Sequence, residues 1–259
     1  MQLGISTACL YPMQTEDALK LLIGKGFRDF EIFLNCESET KKDYMSFLKK
    51  ILDDSGSTLY SLHPYTSAYE PHMLFSDYYR RFEDGLTLYR RYCEMAAELG
   101  AKFVVIHGDR IARPSLSMSE YFERFSVLMK IGQEFGVTVA QENVNGYRSA
   151  TPEFISEMKK QIDNVKFVYD LKQEFRAGLD FLSMAKIMGG SIAHIHISDR
   201  SDKSDCLLPK FGNVDFSKLI DFCEKINYDG LFIVEVYRHN FDRDDELMQS
   251  YELLKEVNL

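Results

Sequence analysis

An excess of positive charge is the first thing this sequence lacks. Lys and Arg number 31 against 40 Asp and Glu, a formal net charge of -9, which is a poor footprint for a protein that grips a phosphate backbone. No apolar run approaches the roughly 20 residues of a membrane span, and MQLGISTACLYP lacks the basic flank and apolar segment of an export signal. The five cysteines, Cys9, Cys36, Cys93, Cys206 and Cys223, are irregularly spaced and include no C-x-x-C pair, which argues against a disulfide framework and against a thiolate zinc site. There is no low-complexity linker, and no G-x-G-x-x-G follows the first apolar strand, so the phosphate-binding turn of an open dinucleotide fold is missing. Together these absences predict a soluble cytoplasmic protein with reduced thiols, and neither nucleic acid nor membrane as a partner.

What is present is a regular alternation. With 45% hydrophobic residues in 259, the chain can bury a large core. Short β-branched runs alternate with longer segments of helical periodicity: QLGIST then TEDALKLLIGKG, FRDFEIFL then KKDYMSFLKKILDD, TLYSLH then a helix over 78–99, and KFVVIH then SMSEYFERFSVLMKIGQEFG. VTVAQEN precedes TPEFISEMKKQI, NVKFVYD precedes LDFLSMAKIMGG, SIAHIHIS precedes DFSKLIDFCEKI, and GLFIVEVY precedes DRDDELMQSYELLKEV. Thr15, Ser119 and the pair Thr151–Pro152 read as helix starts, and Gly26 as a stop. Eight strand–helix pairs in about 250 residues predict a single α/β domain over 1–259, a (β/α)8 TIM barrel, with an open doubly wound sheet as the alternative. The longest connections follow the third and seventh strands, on the face where barrels carry their sites.

Ionisable residues close these strands. His63 ends LYSLH, His107 follows FVVI, Glu142 follows TVAQ, Asp170 follows KFVY, and Glu235 follows LFIV. In SIAHIHISDR, His194 and His196 share one side of an extended strand. Glu31, in DFEIF, is a weaker member of the same set. Carboxylates converging on one rim are costly to desolvate unless a cation neutralises them. One divalent metal ion would do so, and three carboxylates with one imidazole suit Mn, Mg, Co or Zn. The alternative is a buried network of ion pairs with no metal.

The order Glu142, Asp170, His196, Glu235, together with SLHPY, VVIHGD, HIHISDR and LPKFGNVDF, resembles the xylose isomerase-like TIM-barrel superfamily, which includes sugar and sugar-phosphate isomerases and epimerases and the apurinic-site endonucleases. The resemblance spans essentially the whole chain. It implies that Glu142, Asp170, His196 and Glu235 are the metal ligands, that Glu142 and Glu235 are an opposed acid/base pair, and that His63 and His107 lie at the substrate. A metal-stabilised enediolate would then return its proton to the other face, inverting the centre, or to the neighbouring carbon, isomerising the carbonyl. His194, one layer deeper than His196, would orient the site.

The chain also departs from the family. Gln173 stands in DLKQ where relatives often carry the histidine of Asp-x-x-His, and the D-x-H triplet of the endonucleases is missing between Asp199 and Asp215. Both departures count against a multi-zinc phosphodiester hydrolase. Asn145 and Arg148 follow the fifth strand where 3-epimerases tend to place a sugar-touching Glu, and Arg200 lies on the same rim. Arginine forks suit phosphate or carboxylate, so the expected substrate is a small carbohydrate, neutral or anionic, met by His63, His107, Gln173, Asn145, Arg148 and Arg200. The alternatives are a dehydratase of inosose type on the same site and a non-catalytic sugar-binding barrel. Homo-oligomers are common among such barrels.

Overall fold

The computed structural model describes residues 2–257. Eight parallel strands close into a barrel: β1 (Gln2–Ser6), β2 (Asp29–Phe33), β3 (Thr58–His63), β4 (Phe103–Ile106), β5 (Thr138–Glu142), β6 (Lys166–Asp170), β7 (Ile192–Ile197) and, after a small hairpin, β10 (Leu231–Val234). β10 pairs with both β7 and β1, so the sheet has no open edge, and the doubly wound alternative is excluded. Parallel strands covered on both sides must be apolar on both sides. That is why the strands read as continuous runs rather than as alternating ones.

Helices α1 (Thr15–Lys25), α2 (Lys42–Ser55), α3 (Glu70–Met73), α4 (Tyr79–Glu98), α5 (Met118–Glu134), α6 (Pro152–Gln161), α7 (Leu171–Arg176), α8 (Ser183–Met188), α9 (Phe216–Lys225) and α10 (Asp245–Glu256) occupy the crossovers. Each long helix turns one apolar stripe inward: Met45, Leu48 and Leu52 on α2, and Phe216, Leu219 and Cys223 on α9, are buried. Gly26 ends α1 at φ 108°, a left-handed stop that glycine adopts without steric cost. Thr151 caps α6 with Pro152 in its first turn. The start of α5 is corrected: Ser117, not Ser119, is the cap, because Ser117 has Glu120 three residues on and the two form a reciprocal capping box.

Inside the barrel, Val105, Ala140, Val168 and Ala193 from β4 to β7 make a small-residue layer, leaving the polar residues above it to meet at the C-terminal rim. The long connection after β7 is an ordered hairpin, β8 (Asp199–Ser201) and β9 (Ser204–Leu207). Fully buried Asp199 holds its return: Oδ1 accepts from the N–H of Arg200 and Val214, and Oδ2 from Lys210 and Gly212, at 2.7 to 3.0 Å. All five cysteines are free thiols. Among the described residues, no helix is long and apolar enough to cross a membrane.

Candidate functional site

Four strand ends deliver four donors to one point. Glu142 closes β5, Asp170 closes β6, His196 lies on β7 and Glu235 directly follows β10. One atom from each lies within 4.8 Å of the others. His196 Nδ1 is 3.6 Å from Glu142 Oε1, 3.7 Å from Asp170 Oδ2 and 3.3 Å from Glu235 Oε2. The tips of β5 and β6 are stapled by Asn143, whose Nδ2 donates to the Asp170 carbonyl and whose Oδ1 accepts the Asp170 N–H. Asp170 also caps α7, its Oδ1 accepting the Gln173 N–H at 3.0 Å. That leaves Oδ2 for the centre.

A layer below, Glu31 sets the direction of His196. Its Oε2 lies 3.0 Å from His196 Nε2 and 3.3 Å from His194 Nε2, and accepts from Ser61 Oγ at 2.7 Å. Burial opposes the Glu31 charge, but His196 and His194 hold its carboxyl well below the ordinary range. With Nε2 committed to Glu31, Nδ1 faces three carboxylates and has no hydrogen-bond partner of its own. Burial opposes a charge on His196, but Glu31, Glu235, Asp170 and Glu142 hold its pKa well above the ordinary histidine value, so the ring keeps a second proton among these carboxylates in the ion-free protein. Three carboxylates around one imidazole nitrogen fit a divalent ion with O/N preference, which would take that proton's place. His194 and Glu31 form the supporting layer.

On the opposite side, His107 Nε2 lies 3.0 Å from Glu142 Oε2 and 2.9 Å from His63 Nε2. Phe33 stacks on the His63 ring at 4.4 Å between centroids. Burial would raise Glu142, yet the close imidazoles of His107, His196 and His63 hold it well below the carboxylate range. Glu70, on α3, fixes where His107 sits: its Oε2 accepts the N–H of His107 at 2.8 Å and of Gly108 at 2.6 Å, while Tyr89 donates to Oε1. Gly108 is required there, since a Cβ would come within 2.1 Å of the Tyr121 hydroxyl.

These groups form part of the wall of a cavity of about 410 Å³ at the barrel mouth. Glu142, Glu235, His63, His107 and Gln173 line it, with Phe33, Asn35, Tyr65 and Tyr237 completing much of the wall. Three residues expected at the substrate lie elsewhere. Arg148 turns away to donate to the carbonyls of Leu116 and Ser117 and packs over the rings of Tyr121 and Phe154. Arg200 is exposed and stacks on Phe175 at 4.3 Å. Asn145 is outside the cavity wall, its backbone N–H donating to Gln173 Oε1 at 3.1 Å. Among the described residues, no arginine lines this cavity.

Sequence reasoning missed Lys172. Its buried ammonium donates to Asp170 Oδ2 and to Glu235 Oε2, and it is the one Lys or Arg among the cavity-lining residues. Burial opposes its charge, but Asp170 and Glu235 hold its pKa well above the ordinary lysine value, and Lys172 in turn pulls Glu235 down to about 2 against burial. The available signal was its place two residues after Asp170, on the same rim. Lysines in such positions usually snorkel to solvent.

Solved structures with this architecture include sugar epimerases. D-psicose 3-epimerase with D-tagatose, from Clostridium cellulolyticum H10, superposes with a TM-score of 0.81 at 16% identity over 99% of both chains. The IolI protein with a binding zinc atom superposes at 0.76, with 18% identity, over 100% of this chain and 96% of that one. Among curated sequences, uncharacterized protein MJ1311 of Methanocaldococcus jannaschii is 28% identical over 176 residues, 63% of this chain and 58% of the relative, so the match spans little more than half of that protein. Residues 20–257 match the family model described as xylose isomerase-like TIM barrel, and the chain belongs to that family.

Proposed function

We propose that this protein is a metal-dependent isomerase or epimerase of a small neutral carbohydrate. The observation that carries the reading is the convergence of Glu142, Asp170, His196 Nδ1 and Glu235 beside a cavity whose wall is mostly aromatic and uncharged polar. A D-psicose 3-epimerase and the IolI protein with a binding zinc atom, both similar in fold, support it. Glu142, Asp170, His196 and Glu235 would hold the ion, which on binding supplies positive charge that acidifies a C–H beside a sugar carbonyl. Glu142 and Glu235 would act as the proton-transfer pair: both are held below the carboxylate range in the ion-free protein, so either can take the C–H proton. Returned by the same group to the neighbouring carbon it isomerises the sugar, whereas inversion needs the opposing carboxyl to enter the cycle protonated and give up its own proton. His63 and His107, against Glu142 Oε2, orient that carboxylate and offer donors to a substrate hydroxyl. Phe33, Tyr65 and Tyr237 present ring faces suited to the C–H surface of a sugar. Among the described residues, Lys172 is the only Lys or Arg on the wall and is already paired twice, which favours a neutral ketose over a sugar phosphate.

Lys172 also supports a second reading. An ammonium neutralising Asp170 and Glu235 is what a non-catalytic barrel with a metal-free ion-pair network would contain. The two readings part on hydrogen exchange. Incubated with Mn²⁺ in D₂O, the protein should place deuterium beside the carbonyl of at least one of a panel of neutral ketoses, seen by proton NMR, and Glu142→Gln should abolish it. No exchange from any ketose, with metal bound, would favour the binding module.

A further inference from the structure

Asp170 Oδ2 and Glu235 Oε2 face His196 Nδ1 at 3.7 and 3.3 Å, and these same two oxygens accept hydrogen bonds from Lys172 Nζ. The oxygens expected to hold the ion are therefore already serving a cation. Lys172 is the second residue of α7, and its stem folds back on Asp170, the cap of its own helix. Its side chain is 4% exposed, and it borders the cavity. An ammonium has three donors, two of which are spent on these carboxylates.

We propose that Lys172 and a divalent metal ion are alternative occupants of the Asp170–Glu235 pair, so that metal loading releases the ammonium into the sugar cavity. The proposal rests on the metal-dependent reading above. Two cations sharing the same oxygens within a few ångströms, in a buried site that screens them little, repel strongly. The tethered one is free to move on its four-carbon stem. The ring of Tyr237 lies 5.8 Å from Nζ and also forms part of the cavity wall, giving the displaced ammonium a cation–π surface beside the substrate. Lys172 thus stabilises the ion-free protein, weakens its hold on metal, and becomes a substrate-facing donor once metal is bound.

The first test uses the unaltered protein. Trace acetylation of the chelator-stripped chain, with and without saturating Mn²⁺, is read by peptide mass spectrometry, using solvent-facing Lys50 and Lys218 as references. Mn²⁺ should raise Lys172 labelling several-fold relative to those references. In calorimetry, Lys172→Met, with Lys172→Gln as a polar second variant, should bind Mn²⁺ about tenfold or more tightly than the parent. Mn²⁺ binding with Lys172 labelling unchanged would overturn the proposal and leave the metal-dependent function standing. Affinity in both variants equal to or below that of the parent would overturn it too. No Mn²⁺ binding by the parent or either variant would remove both this proposal and the function on which it rests.

Discussion

Replacing Glu31 by Gln probes the layer beneath the candidate metal centre without touching a proposed ligand. The carboxylate takes up Ser61 Oγ at 2.7 Å and His196 Nε2 at 3.0 Å in a fully buried setting. It thereby fixes Nε2 toward itself and turns Nδ1 to the three carboxylates. A hydrogen bond to a charged partner is worth about 1.5–3 kcal/mol, and loss of an outer partner of a metal-bound histidine typically weakens the metal about 10- to 100-fold, equivalent to roughly 1.4–2.7 kcal/mol. The two figures agree, since glutamine keeps an oxygen that can still accept from Nε2 but loses the charge that polarises the ring. Calorimetric titration of Mn²⁺ into chelator-stripped Glu31→Gln should therefore show affinity down by one to two decades at unchanged stoichiometry, with Glu31→Asp recovering part of the loss. An affinity matching the parent, in a variant whose urea midpoint is also unchanged, would refute the claim that Glu31 orients His196.

Three further outcomes follow from the same contacts. Arg148→Ala should cost about 1–2 kcal/mol of stability, from lost bonds to the Leu116 and Ser117 carbonyls and lost ring contact, and should shift KM equally for a phosphorylated ketose and its neutral analogue; a selective rise for the phosphorylated one would return the arginine to the substrate. Asp199→Ala strands four backbone N–H groups, so urea unfolding should show a loss of about 3 kcal/mol or more, against near-neutrality if water replaces the carboxylate. Burial pushes Glu70 from its ordinary 4.5 up to about 7, against the lowering influence of His107 and of hydrogen bonds from Tyr89, Gly108 and His107. Between those values the folded protein keeps a proton that the unfolded chain has released, so this contribution is complete below about pH 4.5 and is lost as pH rises through 7, by roughly 3 kcal/mol at most. Urea midpoints at pH 5, 6 and 7.5 should lose that slope in Glu70→Gln; identical slopes in both proteins would assign it to other groups.

The barrel was legible because its strands, buried on both faces, announce themselves as apolar runs, and because a polar residue ending such a run marks the rim whatever its partners are. His63, His107, Glu142, Asp170, His196 and Glu235 are legible in this way, and the structure gathers them into two groups joined at Glu142. Side-chain direction in loops was not legible. Arg148, Arg200 and Asn145 sit at the expected end of the barrel but spend their bonds on neighbouring loops or stack outside the cavity. The hairpin of β8 and β9 depends on Asp199 reaching as far as 15 residues along the chain to Val214, a contact with no local pattern. The start of α5 falls at Ser117 rather than Ser119 because only Ser117 has an acidic residue at the capping-box spacing. Lys172 escaped notice because lysine composition points to solvent, and only the fold shows two carboxylates closing over it.

Among the described residues, three groupings could hold a metal: Glu142, Asp170, His196 and Glu235; Glu31, His194 and His196; and His63, His107 and Glu142. Anomalous diffraction at the manganese edge from crystals grown with Mn²⁺ separates them in one measurement. The account predicts a single strong peak bounded by Glu142, Asp170, His196 Nδ1 and Glu235. A peak at either of the other groupings, or none at the four-residue centre, would contradict it.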